Sequence, residues 1–162
     1  MIDIDGLSPI HLLALHTRVA ERLRECGVVR SSNNPTGDLA EHLFCRAFDW
    51  DRTGRSHPAA DAISKDGAAR FQIKGRRWTK YNKSRQLGAL RGLPDCGFDF
   101  LAGVLLREDY SVERAAIVPH ALVLANATPV EYTNSWKFML RDVVWTWPGV
   151  EDVTNRLRSV VL

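Results

Sequence analysis

The chain has little cysteine: three residues among 162, at Cys26, Cys45 and Cys96, with no Cys-x-x-Cys pair. An odd and scattered set excludes a disulfide framework and a zinc ribbon. No apolar run approaches the ~18 residues of a membrane span. The opening Met1-Ile2-Asp3-Ile4-Asp5 carries acids where a secretory leader carries bases. Together these absences lead to the expectation of a cytoplasmic protein with no membrane partner. Internal repeats and Gly- or Ser-rich linkers are also missing, so one domain is expected over residues 1–162. The most informative gap is local: from Gly67 to Pro94 there is no Asp and no Glu.

That acid-free stretch holds eight positive charges: Arg70, Lys74, Arg76, Arg77, Lys80, Lys83, Arg85 and Arg91. The rest of the chain has 14 basic residues against 19 acidic, so a net charge of +3 hides an acidic body with one basic segment. Such asymmetry points to a polyanionic partner. Basic side chains supply phosphate contacts without regard to sequence. Interleaved Trp78 and Tyr81 can stack on bases or wedge into a groove. Arg76, Arg77, Trp78, Lys80, Tyr81, Lys83 and Arg85 are therefore the candidate nucleic-acid-binding residues.

Periodicity sets the elements. Leu12, Leu15, Val19, Leu23 and Cys26 fall on one stripe and predict an amphipathic core helix from Ile10 to Cys26. A second helix is expected from Thr36 to Phe48. Asp38, His42, Arg46 and Asp49 read as its solvated face, and Glu41 borders the apolar stripe. A carboxylate facing the core is costly unless it is paired or binds a cation. The first 8–48 residues thus read as a helical part. Asp66-Gly67 signals a hairpin within residues 59–75, with Ala69, Phe71 and Ile73 on one face and Arg70, Gln72 and Lys74 on the other. Buried strands are expected from Phe98 to Leu106 and from Arg114 to Val118. A short helix follows Pro119, and Val150 to Leu162 reads as a last helix. The element order is that of an α/β domain.

With Asp66 and Gly67 as the two turn residues, Lys65 faces Ala68, Ile63 faces Arg70 and Asp61 faces Gln72. The Asp61 and Gln72 Cβ atoms then lie ~5 Å apart. Lys74 shares that face two residues on. A carboxylate and an amide oxygen are hard ligands suited to Mg²⁺ or Mn²⁺. An adjacent lysine can orient water or offset charge on a phosphorane-like transition state. Glu41 completes the shell if its helix packs on the hairpin. His57, shortly before Asp61, is a lesser candidate for the same site.

Glu41, Asp61 and Gln72-Ile73-Lys74 resemble the active-site signature of the PD-(D/E)XK nuclease superfamily, over Gly37 to about Arg77. Two departures are visible: Ala60 stands in place of proline, and Gln72 in place of the commoner acid. The resemblance implies a restriction-endonuclease-like fold, with a mixed central sheet flanked by helices. It implies Mg²⁺-dependent hydrolysis of DNA phosphodiester bonds, of restriction, phage-defence or repair type. Asp61, Gln72 and Glu41 are then metal ligands, Lys74 is the catalytic lysine, and the Ile73 carbonyl is a possible backbone ligand. Two cuts in a duplex need two sites, so a homodimer is expected. The alternative is the same fold with an inactive site, serving as a DNA-binding or assembly module.

Overall fold

A computed structural model describes residues 3–31, 34–54 and 59–162. Among these residues, two helices come first, α1 (Pro9–Glu25) and α2 (Thr36–Phe48). Strands β1 (Asp51–Arg52), β2 (Ala62–Ile63) and β3 (Arg70–Arg77) follow. Then come β4 (Phe100–Leu106), β5 (Val112–Pro119) and α3 (His120–Asn126). The chain ends with β6 (Thr128–Val130), β7 (Ser135–Lys137), β8 (Glu151–Asp152) and α4 (Thr154–Arg158). Six strands form one mixed sheet in the order β1-β2-β3-β4-β5-β8, and β6 and β7 pair separately. Only β3 and β4 are parallel. The expectation of an α/β domain with a mixed central sheet and flanking helices matches this architecture.

The pleat of β3 sorts the core into two layers. Phe71 and Ile73 point toward α2, with Ala102, Val104 and Leu106 of β4 beside them. On the other face, Leu101 and Leu105 of β4 meet Leu87, Leu90, Phe138 and Leu140. Gln72, Lys74 and Arg76 share this second face and are half-buried there. Gly75 is the point where α2 comes down on β3: a Cβ there would lie 3.0 Å from the Thr36 carbonyl oxygen and the Ala40 Cβ. A run of stacked rings locks the same layer. Trp50 lies 3.6 Å from Phe71, with Phe48 and Phe44 stacked behind it and Phe100 beyond.

The hairpin register is the expected one, with Ile63 opposite Arg70 and Ala62 opposite Phe71. Its turn is wider than two residues. The ladder closes at Ser64, whose N–H donates to the Ala69 carbonyl, so Lys65 and Ala68 are not a ladder pair. The Asp66 carboxylate accepts from the Ser64 hydroxyl and the Ala68 N–H, and this capping opens the turn.

Three other expectations are corrected. Helix α1 forms, yet none of its residues is buried, so its stripe is not a core stripe. Asp38 is not simply solvated: its carboxylate accepts the N–H groups of Arg30 and Ser31 and fixes the segment ahead of α2. The last segment is helical only over Thr154–Arg158. Glu151 and Asp152 pair with Ile117 and Ala116 as an edge strand, which satisfies the outer side of β5. The Asp152 carboxylate then accepts from the Thr154 N–H and hydroxyl.

Gly97, just before β4, packs against the entry to the hairpin. A Cβ at Gly97 would fall 2.2 Å from the Ala59 Cβ. Gly97→Ala is expected to cost about 1–3 kcal/mol through overpacking, read as a lower urea midpoint with an unchanged slope.

Candidate functional site

Asp61 is held from three directions. Its carbonyl accepts from the Thr53 N–H at 3.0 Å, and its own N–H donates to the Phe71 carbonyl at 2.8 Å. Its side chain then reaches past the end of β2. Oδ2 accepts the Ile73 N–H at 2.7 Å and a bond from the Gln72 Nε2 amide. Oδ1 receives no hydrogen bond from the described residues. The pairing of Asp61 with Gln72 therefore follows the hairpin register. Gln72 uses its nitrogen toward Asp61, so Oε1 is the atom it has for a cation. Ile73 meets Asp61 through its N–H.

Glu41 arrives from α2. Burial pushes its carboxyl above the usual carboxylate range, and the charge of Asp61 pushes it further. The Arg30 and Arg52 guanidiniums pull it back. Arg30 Nη2 donates directly to Glu41 Oε2, while the Arg30 N–H is tied to Asp38. Arg52, on β1, also meets the Cys45 thiol, whose proton affinity burial raises. The sequence reading missed Arg30 and Arg52. Both precede or follow α2 at positions with no periodicity, and no signal in the chain marked them.

Lys74 lies on the Gln72 face of β3. Its stem runs past Gly88, where a Cβ would sit 3.5 Å from the Lys74 Cδ. No described carboxylate pairs with Lys74. His57 lies outside the described residues. Asp61 meets Gln72 directly, the Glu41 carboxyl is near enough to feel the charge of Asp61, and Lys74 follows Gln72 on the same strand face.

A divalent cation fits this donor set. Two carboxylates repel one another in a half-buried place, and Oδ1 of Asp61 and Oε1 of Gln72 accept no hydrogen bond from the described residues. A cation would relieve the repulsion and compete with Arg30 for Glu41. Among the described residues, no three His, Cys, Asp or Glu side chains group as a metal site, so a cation here would need Gln72 Oε1 beside the two carboxylates.

The basic segment divides into two kinds of residue. Arg70 pairs with Asp99 at 3.0 Å and Arg85 with Asp142 at 2.7 Å. Arg77 donates to the Glu108 carbonyl and the Tyr110 hydroxyl, and stacks on the Tyr110 ring at 4.2 Å. Trp78 is half-buried against the second core layer and donates through Nε1 to the Ser84 carbonyl. These three, Arg77, Trp78 and Arg85, hold the fold. Lys74, Arg76, Lys80, Lys83 and Arg91 meet no carboxylate among the described residues. Arg76 Nε is buried with no hydrogen-bond partner among the described residues. Tyr81 is 86 % exposed, with the Lys80 ammonium 4.9 Å from its ring centre.

No protein-family model matches this chain, and no curated protein matches it. No described helix is long and apolar enough to cross a membrane.

A carboxyl raised by folding favours the folded state fully at acid pH. That contribution is lost as pH rises through its folded value. Glu41→Gln removes the term. At pH 7 the metal-free variant is expected to melt above the wild type, with the difference closing below about pH 4.5, the ordinary glutamate value. Thermal melts across pH, each with and without Mg²⁺, check this; the variant should also lose Mg²⁺-dependent stabilisation.

Proposed function

We propose that this chain is a metal-dependent DNA endonuclease with a restriction-endonuclease-like architecture. The observation that carries the reading is the contact of Asp61 with Gln72, with the Glu41 carboxyl within reach of the Asp61 charge and Lys74 next along the strand. Asp61, Glu41 and the Gln72 Oε1 are the side-chain donors for Mg²⁺ or Mn²⁺, with the Ile73 carbonyl as a backbone candidate. When bound, the metal would polarise the phosphodiester and favour charge on the leaving oxygen.

The chain's own residues supply the rest. Lys74, which meets no carboxylate among the described residues, positions the attacking water and offsets charge gathering on the phosphoryl oxygens. Arg76 follows on the same face and adds positive charge beside Lys74. Lys80, Lys83 and Tyr81 extend the basic surface along the flanking backbone. Cutting both strands requires two such sites, which a symmetric pair of copies provides.

A specific contact favours a second reading. Oδ2 of Asp61 is already filled by two N–H donors, one from Gln72. A site satisfied in this way suits an inactive DNA-binding module of the same fold.

Plasmid nicking separates the two. The wild type is expected to nick supercoiled DNA with Mg²⁺ or Mn²⁺. Lys74→Ala should slow nicking by about 10²–10⁴-fold while still shifting DNA on a gel. A protein that shifts DNA and never nicks it with either metal supports the binding module.

Binding itself has a salt signature. Lys80→Ala with Lys83→Ala is expected to lower the slope of log affinity against log salt by about 1.8 on duplex DNA. Arg77→Ala, by contrast, is expected to act on stability, lowering the urea midpoint and leaving that slope nearly unchanged.

A further inference from the structure

Cys96 and His120 form a pair outside the carboxylate site. Cys96 follows the short turn Leu93–Asp95, and His120 opens α3 at the end of β5. The two segments are held together by the His120 N–H, which donates to the Asp99 carbonyl at 2.9 Å. The Cys96 Sγ then lies 3.7 Å from His120 Nδ1. The other ring nitrogen, Nε2, lies 2.7 Å from the Leu93 carbonyl oxygen.

That second contact fixes the first. A carbonyl oxygen only accepts, so Nε2 carries a hydrogen. In the neutral ring Nδ1 is then the bare nitrogen, and it faces the thiol as an acceptor. Phe98 packs edge-on against the imidazole, with ring centres 5.0 Å apart, and limits its freedom to turn. A nucleophile, a base and a group that orients the base thus stand in line.

The thiol is exposed, on a residue with a φ of 50°. Arg70 Nη2 donates to the Cys96 carbonyl at 3.2 Å and pairs with Asp99. Asp99 holds Arg70 more firmly protonated, and charge on the Cys96 sulfur acts the same way. The Asp99 carboxyl is kept below the ordinary carboxylate range chiefly by Arg70, and the charge of His120 adds to this. Asp95 turns aside: a Cβ at Gly92 would lie 3.0 Å from its Oδ2. We propose that Cys96 is a modification site, whose thiol, with His120 as its base, forms a mixed disulfide with a small disulfide of the glutathione kind.

The Cys96 proton passes to His120 Nδ1, and the sulfur attacks one sulfur of the reagent. A bond forms from Cys96 Sγ to that sulfur as the reagent's own disulfide bond breaks. The departing thiolate takes the proton from His120 and leaves as a free thiol. Cys96 is oxidised, and the departing half of the reagent is reduced. Neither other thiol is placed to resolve the product. Cys45 lies in the layer under α2, across the sheet from Leu93 and Phe98, and Cys26 ends α1. The mixed disulfide therefore persists until an outside thiol removes it. None of this depends on the carboxylate site.

Oxidised glutathione added to the full chain, with peptide mass mapping against time, tests the proposal. Cys26 is the internal reference, because it is exposed and also interacts with a guanidinium, that of Arg22. At about pH 6.5, Cys96 is expected to react about tenfold faster than Cys26 or more. The advantage should close near about pH 9, where an ordinary thiol ionises unaided. It should also vanish in urea, where the imidazole leaves the thiol. His120→Gln keeps an amide donor for the Leu93 carbonyl and lacks the base. It should slow Cys96 about tenfold at the lower pH and leave Cys26 unchanged. Equal rates at Cys96 and Cys26 in the wild type at that pH overturn the proposal, whatever the variant does. An advantage that survives His120→Gln overturns it as well, and leaves exposure as its cause.

Discussion

The ladder between β2 and β3 is two residue pairs long. Beyond it, the N–H of Ile73 points to where a longer β2 would have placed a carbonyl. A buried N–H left without a partner costs about 1–3 kcal/mol. Asp61 supplies the missing acceptor with its side chain. One carboxylate therefore ends the hairpin and forms the centre of the polar site. The backbone of Asp61 is clamped by Thr53 and Phe71, so the carboxylate has little freedom to drift. Glu41 is set above it because Gly75 lets α2 approach β3 closely. The position of the site is thus a by-product of how the sheet edge is finished.

Charge is distributed in the same economical way. The two carboxylates sit where they oppose each other, and the guanidiniums of Arg30 and Arg52 offset part of that opposition. A few residues along β3, the sign reverses: Lys74 and Arg76 follow Gln72 on one face.

Much of this was legible in the chain. The register came from a turn dipeptide and the alternation of Ala69 to Lys74, because a one-residue slip would put Phe71 and Ile73 in water. Helix α2 was legible to the residue. The faces of α1 and the identity of the Glu41 partner were not. Periodicity reports that a stripe exists and is silent on what covers it. Arg30 reaches Glu41 across a loop whose path depends on Asp38 capturing two backbone N–H groups. The basic segment misled in a similar way. Composition counts Arg77, Arg85 and Lys83 alike, yet only geometry tells an arginine stacked on Tyr110 from a lysine reaching outward.

Trp78, a candidate for base stacking, is also the foot of the basic loop. Its indole sits against the second core layer and ties down the Ser84 carbonyl, while Thr79 and Asn82 exchange backbone bonds across the tip. The lysines at 80 and 83 are therefore displayed from a fixed platform. Much of the backbone entropy that a floppy basic tail would surrender on meeting a polyanion is already spent here, during folding. Fewer charges can then do the same job, which is how a chain with an acidic body keeps a usable cationic surface.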